Sequence, residues 1–143
     1  MLTLWLRSLP LWVSAAWAMS LTTLGLFVVP MLFIYLPEKA MAGQMAAHLF
    51  TVQTGISTAC GVALLLLFRS KEPLTPVVQA QAATLFVVGG VLLALLAEFA
   101  VAPHIVARDN LALWHRVGSG MYLLQWICAL VVFGKLAGAQ RQS

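Results

Sequence analysis

The sequence predicts an all-α polytopic membrane protein, an antiparallel bundle of four transmembrane helices. Three observations carry that expectation. Hydrophobic residues make up 62% of the 143-residue chain and charged residues only 8%, far from the balance of a soluble domain. Long uncharged runs recur four times, each able to cross a hydrocarbon layer roughly 30 Å thick, which takes about 20 residues of helix. No run shows the period-two alternation of a membrane barrel, and helices are then the way left to satisfy backbone polar groups in lipid.

The first span is expected over residues 9–36, the second over 42–68, the third over 76–101 and the fourth over 111–136, all within one domain covering 1–143. Pro37, Glu38 and Lys39 close the first span, the charged segment 69–73 separates the second from the third, and segment 103–110 precedes the fourth. Thr75 followed by Pro76 has the form of an N-cap with proline at the first helical position. Asp109 or Asn110 is placed to cap the fourth helix. Arg7, an apolar stretch and Ala16-Trp17-Ala18 together resemble a signal-peptide cleavage pattern, but the run continues to Leu36, so an uncleaved anchor is expected.

Four crossings place Arg7, Arg69, Lys71, Lys135 and Arg141 on one side and Lys39, Arg108 and Arg116 on the other. The positive-inside rule assigns the first group to the cytoplasm, with both termini. The net charge of +4 is dispersed between apolar runs, which speaks against nucleic acid as a partner. Cys60 and Cys128 both fall inside apolar runs, where they are expected to pack and not to form a secretory disulfide.

Helices in lipid associate through close backbone approach, so small residues at four-residue spacing mark expected contacts. Ser14, Ala18 and Thr22 form one such ridge, Gly55, Ala59 and Ala63 a second, Gly90 and Ala94 a third. Pro30 lies inside the first span and is expected to bend it near its outer end.

Polar residues gather at that outer end: Glu38, Gln44, His48, Gln53, Glu98, His104, Arg108, Asp109, His115 and Arg116. Ionisable groups in membrane segments face a bundle interior or a watery cavity and pair with one another, so an outward-opening pocket is expected, lined by His48, Glu98, His115, Arg116, Ser119 and Tyr122. Glu98 and Arg116 fall at similar depth on adjacent helices, where an ion pair is expected. His115, Ser119, Tyr122 and Trp126 recur at helical spacing and share one face. Met41, Met45 and His48 share a face of the second helix, with Met31 nearby, and thioethers with an imidazole suit Cu(I). The same methionines serve equally as apolar gap fillers. His48 and His115 are the intramembrane histidine pair available to ligate haem. No nucleotide-binding loop, nucleophile elbow, His-Glu-x-x-His or paired-cysteine motif is present, so soluble-type catalytic chemistry has no visible support.

The stretch from Gly25 through Pro30 to Phe33, then Ala42-Gly43 with Phe50, then Leu113 to Tyr122 with His115, Arg116 and Ser119, resembles the bacterial four-helix membrane family of unknown function 4149. That family is similar to the eukaryotic transmembrane protein 205 group. The resemblance implies a bacterial inner-membrane location and supplies no catalytic residues. The Gly25 to Phe33 stretch is also similar to the first helix of copper-resistance D proteins and of membrane protoporphyrinogen oxidases, which implies metal import or haem-linked redox chemistry. Where the oxidase pattern has a histidine upstream of the glycine and an arginine after the proline, this chain has Ala15 and Met31.

The expected activity is that of a non-enzymatic bundle binding or conducting a small solute or metal ion through the outward pocket. A haem-binding redox protein is the enzymatic alternative. The third is a structural subunit whose small-residue faces dock a partner membrane protein or a second copy within the bilayer.

Overall fold

The computed structural model describes residues 2–69 and 77–141, with side chains described for 8–69, 78 and 80–141. The expected linker from Ser70 to Pro73, the Thr75–Pro76 helix start and the Arg7 side chain lie outside the described residues. Within the described residues the chain is helical, without strands. Helices α1 (Leu2–Thr23) and α2 (Val29–Tyr35) are joined by a π turn at Leu24–Val28, and α3 spans Lys39–Phe68. Helices α4 (Val77–Leu96) and α5 (Ala102–Val106) are joined by a π turn at Ala97–Val101, and α6 spans Leu111–Gln140. Four stretches of the described residues are long and apolar enough to cross a membrane: Ser8–Tyr35, Lys39–Phe68, Ala80–Val106 and Leu111–Gln140.

Each span packs on its neighbours in chain order, α1 on α3, α3 on α4, α4 on α6 and α6 back on α1. The four therefore stand around a square, and α1–α4 and α3–α6 are its diagonals. The inward seam of α4 runs Ala80, Ala83, Val87, Gly90, Ala94 and that of α6 runs Gln125, Ala129, Val132, Leu136, Ala139. Alternating steps of three and four keep one stripe of a helix facing its neighbours. Large apolar side chains point away from the bundle, among them Ile34, Leu66, Leu85 and Phe99, while Ser14, Gln53, Ser57 and Gln125 are buried. Polar groups inside and apolar groups outside are the distribution that hydrocarbon surroundings select.

Two of the three expected small-residue ridges turn inward. Ser14 and Ala18 are buried with Thr22 beside them, and Gly90 and Ala94 lie in the α4 seam. The second ridge does not: Gly55 and Ala59 are exposed, and no side chain comes within 4 Å of a Cβ built at Gly55. The seam of α3 is Ala42, Ala46, Gln53, Ser57, Gly61 and Leu64 instead. The cause is the pair Gln53 and Ser57, whose polar atoms need partners inside the bundle. Gly55 stands two residues from each, and with 3.6 residues per turn that places it on the opposite side of the helix.

Trp17 fills one diagonal. Its side chain is fully buried, and a Cβ at Gly90 would fall 2.7 Å from Trp17 Cη2 and 2.9 Å from Cζ2. The indole thus occupies space that α4 leaves by lacking a side chain there. Close backbone approach at glycine substitutes for the hydrophobic drive that lipid does not supply.

The prolines inside the first and third spans near the end that carries Lys39 and Leu111, Pro30 and Pro103, are met the same way. The Val29 N–H reaches back five residues to the Leu24 carbonyl just before Pro30, and the Ala102 N–H reaches the Ala97 carbonyl just before Pro103. Proline lacks an N–H and its ring crowds the preceding turn; widening that turn to π geometry lets the helix pass the proline. The expected disturbance at Pro30 is therefore a π turn. Pro103, expected to begin a linker, lies inside the third span, which continues to Val106.

Replacing Gly90 with Ala should overpack the Trp17 site and lower stability by about 1–3 kcal/mol. Adding Trp17→Phe should recover part of that loss. Thermal unfolding of the detergent-solubilised variants checks both; an additive pair of losses would show that the two residues do not share this space.

Candidate functional site

The connection between the third and fourth spans is short and tightly closed. Arg108 N–H bonds the Ile105 carbonyl at 3.1 Å and Asp109 N–H bonds the His104 carbonyl at 3.0 Å, with Arg108 at φ 55. These are the two bonds of a Schellman C-cap, with arginine in the left-handed position that glycine usually holds. The chain then enters α6 through Asn110, itself at φ 40, whose side chain makes no capping bond. The expected side-chain cap is replaced by the Asn110 carbonyl accepting from the Leu113 and Trp114 N–H groups. The reversal lays the His104 ring on Trp114, with centroids 4.1 Å apart and planes 4° from parallel, and sets His104 Nδ1 3.4 Å from Asp109 Oδ2.

Below this cap lies Glu98, inside the third span and inside its π turn. The carboxylate is partly buried and accepts a hydrogen bond from Thr51 Oγ1 of α3 at 2.8 Å. The expected ion pair with Arg116 is not formed. Arg116 is exposed on α6, and the ion pair found among the described residues is the one between His104 and Asp109. The physical reason is rotation: the α6 stripe turned toward its neighbours passes through Trp114, Gly118, Tyr122 and Gln125, which carries Arg116 away from α4.

The same rotation separates the expected pocket residues. His48, His115, Arg116 and Ser119 are exposed, Glu98 and Tyr122 partly buried. Of the six, Tyr122 is drawn into the bundle, where its hydroxyl donates to the Leu21 carbonyl at 2.7 Å and its ring meets Phe50 edge-on at 5.3 Å. Gly25 makes room for it, since a Cβ there would fall 2.7 Å from Tyr122 Cε1. Gly25, Phe50 and Tyr122, from three parts of the recognised motif, thus meet at one point. Met41 and Met45 are exposed on the same helix as His48. Among the described residues no group of three or more His, Cys, Asp or Glu side chains is gathered to hold a metal.

At mid-span the structure assembles a polar network that the sequence expectation lacked. Gln53 Nε2 donates to Ser20 Oγ at 3.0 Å and to Ser57 Oγ at 3.3 Å, and Gln125 Nε2 donates to the same Ser57 Oγ at 2.7 Å. Ser57 is fully buried, Gln53 and Gln125 nearly so. Beside it, Trp126 Nε1 donates to Thr22 Oγ1 at 2.9 Å, and Thr22 donates in turn to the Ala18 carbonyl. The network joins α1, α3 and α6, including the α3–α6 diagonal. Gln53, expected among the outer-end residues, thus lies at the middle of its span; the available signal was the isolation of Gln53 and Gln125 within apolar runs, where a polar side chain implies an interior partner.

Ser57→Ala should remove the acceptor shared by both amides. Leaving buried donors unpaired costs about 1–3 kcal/mol, whereas Thr84→Ala removes only a bond back to the Ala80 carbonyl of its own helix and should cost a few tenths of that. Thermal midpoints of the two variants in one detergent decide it, and equal losses would count against the network as a tie between helices.

No curated protein and no solved structure matches the chain. A family model described as "Domain of unknown function (DUF4149)" matches residues 12–112, well over half of the sequence, with most of the first span and all of the second and third. The match covers Gly25, Phe50, Ser57 and Glu98, and it ends as α6 begins. A chain of four membrane-capable helices that carries this match belongs to the DUF4149 family.

Proposed function

We propose that the protein is a non-enzymatic membrane subunit that binds a small cationic solute or metal ion at the end of the bundle where Tyr35 meets Lys39 and Val106 meets Leu111. The carrying observation is Glu98. It is a carboxylate inside a membrane-capable helix, held by a neutral hydroxyl and facing no described cation within ion-pair distance. Acidic groups at such positions mark ion or substrate sites because their charge needs a partner that hydrocarbon does not supply. The π turn around Glu98 adds support, since such turns recur at functional positions.

His48 precedes Thr51 by three residues on α3, so it stands one turn nearer the same end. Met45 and Met41 continue along that side, which would extend the site toward a soft ion such as Cu(I). His115, Arg116 and Ser119 form an exposed strip on α6 that would contribute from outside the bundle. Haem held between His48 and His115 is not part of this proposal, because both are exposed on helices that stand diagonally across the square. The charge bias of the sequence, with Lys135 and Arg141 at the opposite end, supports an orientation in which the Glu98 end faces away from the cytoplasm.

The test is thermal unfolding of the detergent-purified protein with Na⁺, K⁺, Mg²⁺, Mn²⁺ or Cu⁺ added singly. A bound cation present at about 100 times its Kd stabilises by about 2.7 kcal/mol. That shift should vanish in Glu98→Gln and persist in Gln44→Ala, an exposed control. Identical responses of wild type and Glu98→Gln to every ion would sink the proposal.

A further inference from the structure

A groove of about 390 Å³ opens between the first and second spans, and Glu98 is not among its lining residues. Thr23 and Leu24 line one wall, Val52 and Ile56 the other, with Ser20 and Gln53 at its polar end. Since Gln53 lies near the midpoint of Lys39–Phe68, this polar end sits where the surroundings are driest.

Two hydrogen-bonding groups there are unused. Gln53 is 5% exposed, and its amide nitrogen donates to Ser20 and Ser57, yet its carbonyl oxygen accepts none of the described hydrogen bonds. Thr23 differs from its neighbour Thr22, which donates to the Ala18 carbonyl; the Thr23 hydroxyl enters none of the described bonds, although a helical threonine ordinarily bonds back one turn. That oxygen is not sealed in the core but keeps accessible surface on the groove, and a carbonyl oxygen without a donor is costly in an apolar medium.

We infer that this groove is a binding site for an uncharged, membrane-dissolved molecule that carries a hydroxyl group on an apolar body. One ligand hydroxyl can donate to Gln53 Oε1 and accept from Thr23 Oγ1, meeting both needs at once. A phospholipid cannot, because its hydrogen-bonding groups stay at the interface and only acyl chain reaches this depth. A second copy of the chain does not fit either: a helix is about 10 Å across, while the groove has the volume of a small-molecule pocket, which runs from about 300 to 1,000 Å³. The site is independent of Glu98, so the two proposals stand or fall separately.

The test uses the full chain in phosphatidylcholine nanodiscs with two photoactivatable probes. One is a long-chain secondary alcohol with its hydroxyl at mid-chain and a diazirine nearby; the other is the alkane of the same length and diazirine position. After irradiation, peptide mass spectrometry measures labelling at Leu24, Val52 and Ile56, with exposed Leu85 and Phe99 as references. One added hydrogen bond predicts about five-fold more groove labelling by the alcohol than by the alkane, with equal labelling at the references. Thr23→Val should reduce the excess and Ile56→Trp, which fills the groove, should remove it. Equal labelling by both probes in the wild-type protein would show an acyl-chain furrow and overturn the inference. Protection of the groove from both probes, with cross-links between two copies, would overturn it in favour of a dimer contact.

Discussion

Two side-chain amides, Gln53 from α3 and Gln125 from α6, converge on the single hydroxyl of Ser57, and the rotation of three of the four spans follows from that meeting. In hydrocarbon neither amide can turn to water, so each must point inward. Once Gln53 and Ser57 face the centre, Gly55 and Ala59 must face out. Once Gln125 faces the centre, Tyr122 and Gly118 fall on the packed side of α6 and Arg116 on the open side. Ser20 extends the same constraint to α1 by accepting from Gln53. Individual bonds of this kind in membranes contribute modestly, about 0.6 kcal/mol on average. Their effect on rotation is larger than their energy suggests, because turning either amide outward leaves it unpaired in hydrocarbon.

The two diagonals of the square are closed by different chemistry. Across α3–α6 the closure is polar, through Ser57, with Phe50 against Tyr122 nearer the end that carries His104 and Trp114. Across α1–α4 it is steric, the Trp17 indole filling the space that Gly90 leaves open. At the opposite end of α6 the Lys135 ammonium sits 5.7 Å from the centre of the Phe86 ring, which lets a cation remain beside an apolar helix. The interior is thereby specified by a few complementary pairs and not by bulk burial. That is the expected solution where lipid is as apolar as the core.

Both departures from regular α-helix fall in the same half of the molecule. The π turns before Pro30 and Pro103 place Gly25 and Glu98 on their spans, one accommodating Tyr122 and the other presenting a carboxylate to Thr51. The groove at Gln53 lies alongside the first of these turns and the candidate cation site within the second. A packed, heptad-like lower half thus carries an upper half in which backbone irregularity sets the chemistry, consistent with functional groups being held by a rigid scaffold.

The sequence by itself determined that the chain is helical, that four stretches are able to cross a membrane, and that it resembles the family to which residues 12–112 assign it. Length, apolarity and motif spacing are local properties, and they need no knowledge of neighbours. It also determined that Ser14, Ala18, Gly90 and Ala94 would pack, since small residues at four-residue spacing mark close approach wherever they face inward. Which face of each helix turns inward was decided only by the tertiary structure. In a soluble protein polar residues mark the outside, but in these spans lipid-facing and core-facing sides are both apolar, so periodicity carries little contrast. Gly55 with Ala59 was the seam expected on the second span and His115 with Ser119 the face expected on the fourth, but the buried amides turn Gly61 and Gly118 inward instead. For the same reason the unpaired Glu98, the Ser57 junction and the groove at Gln53 depend on residues far apart in sequence, whose meeting is fixed by helix rotation.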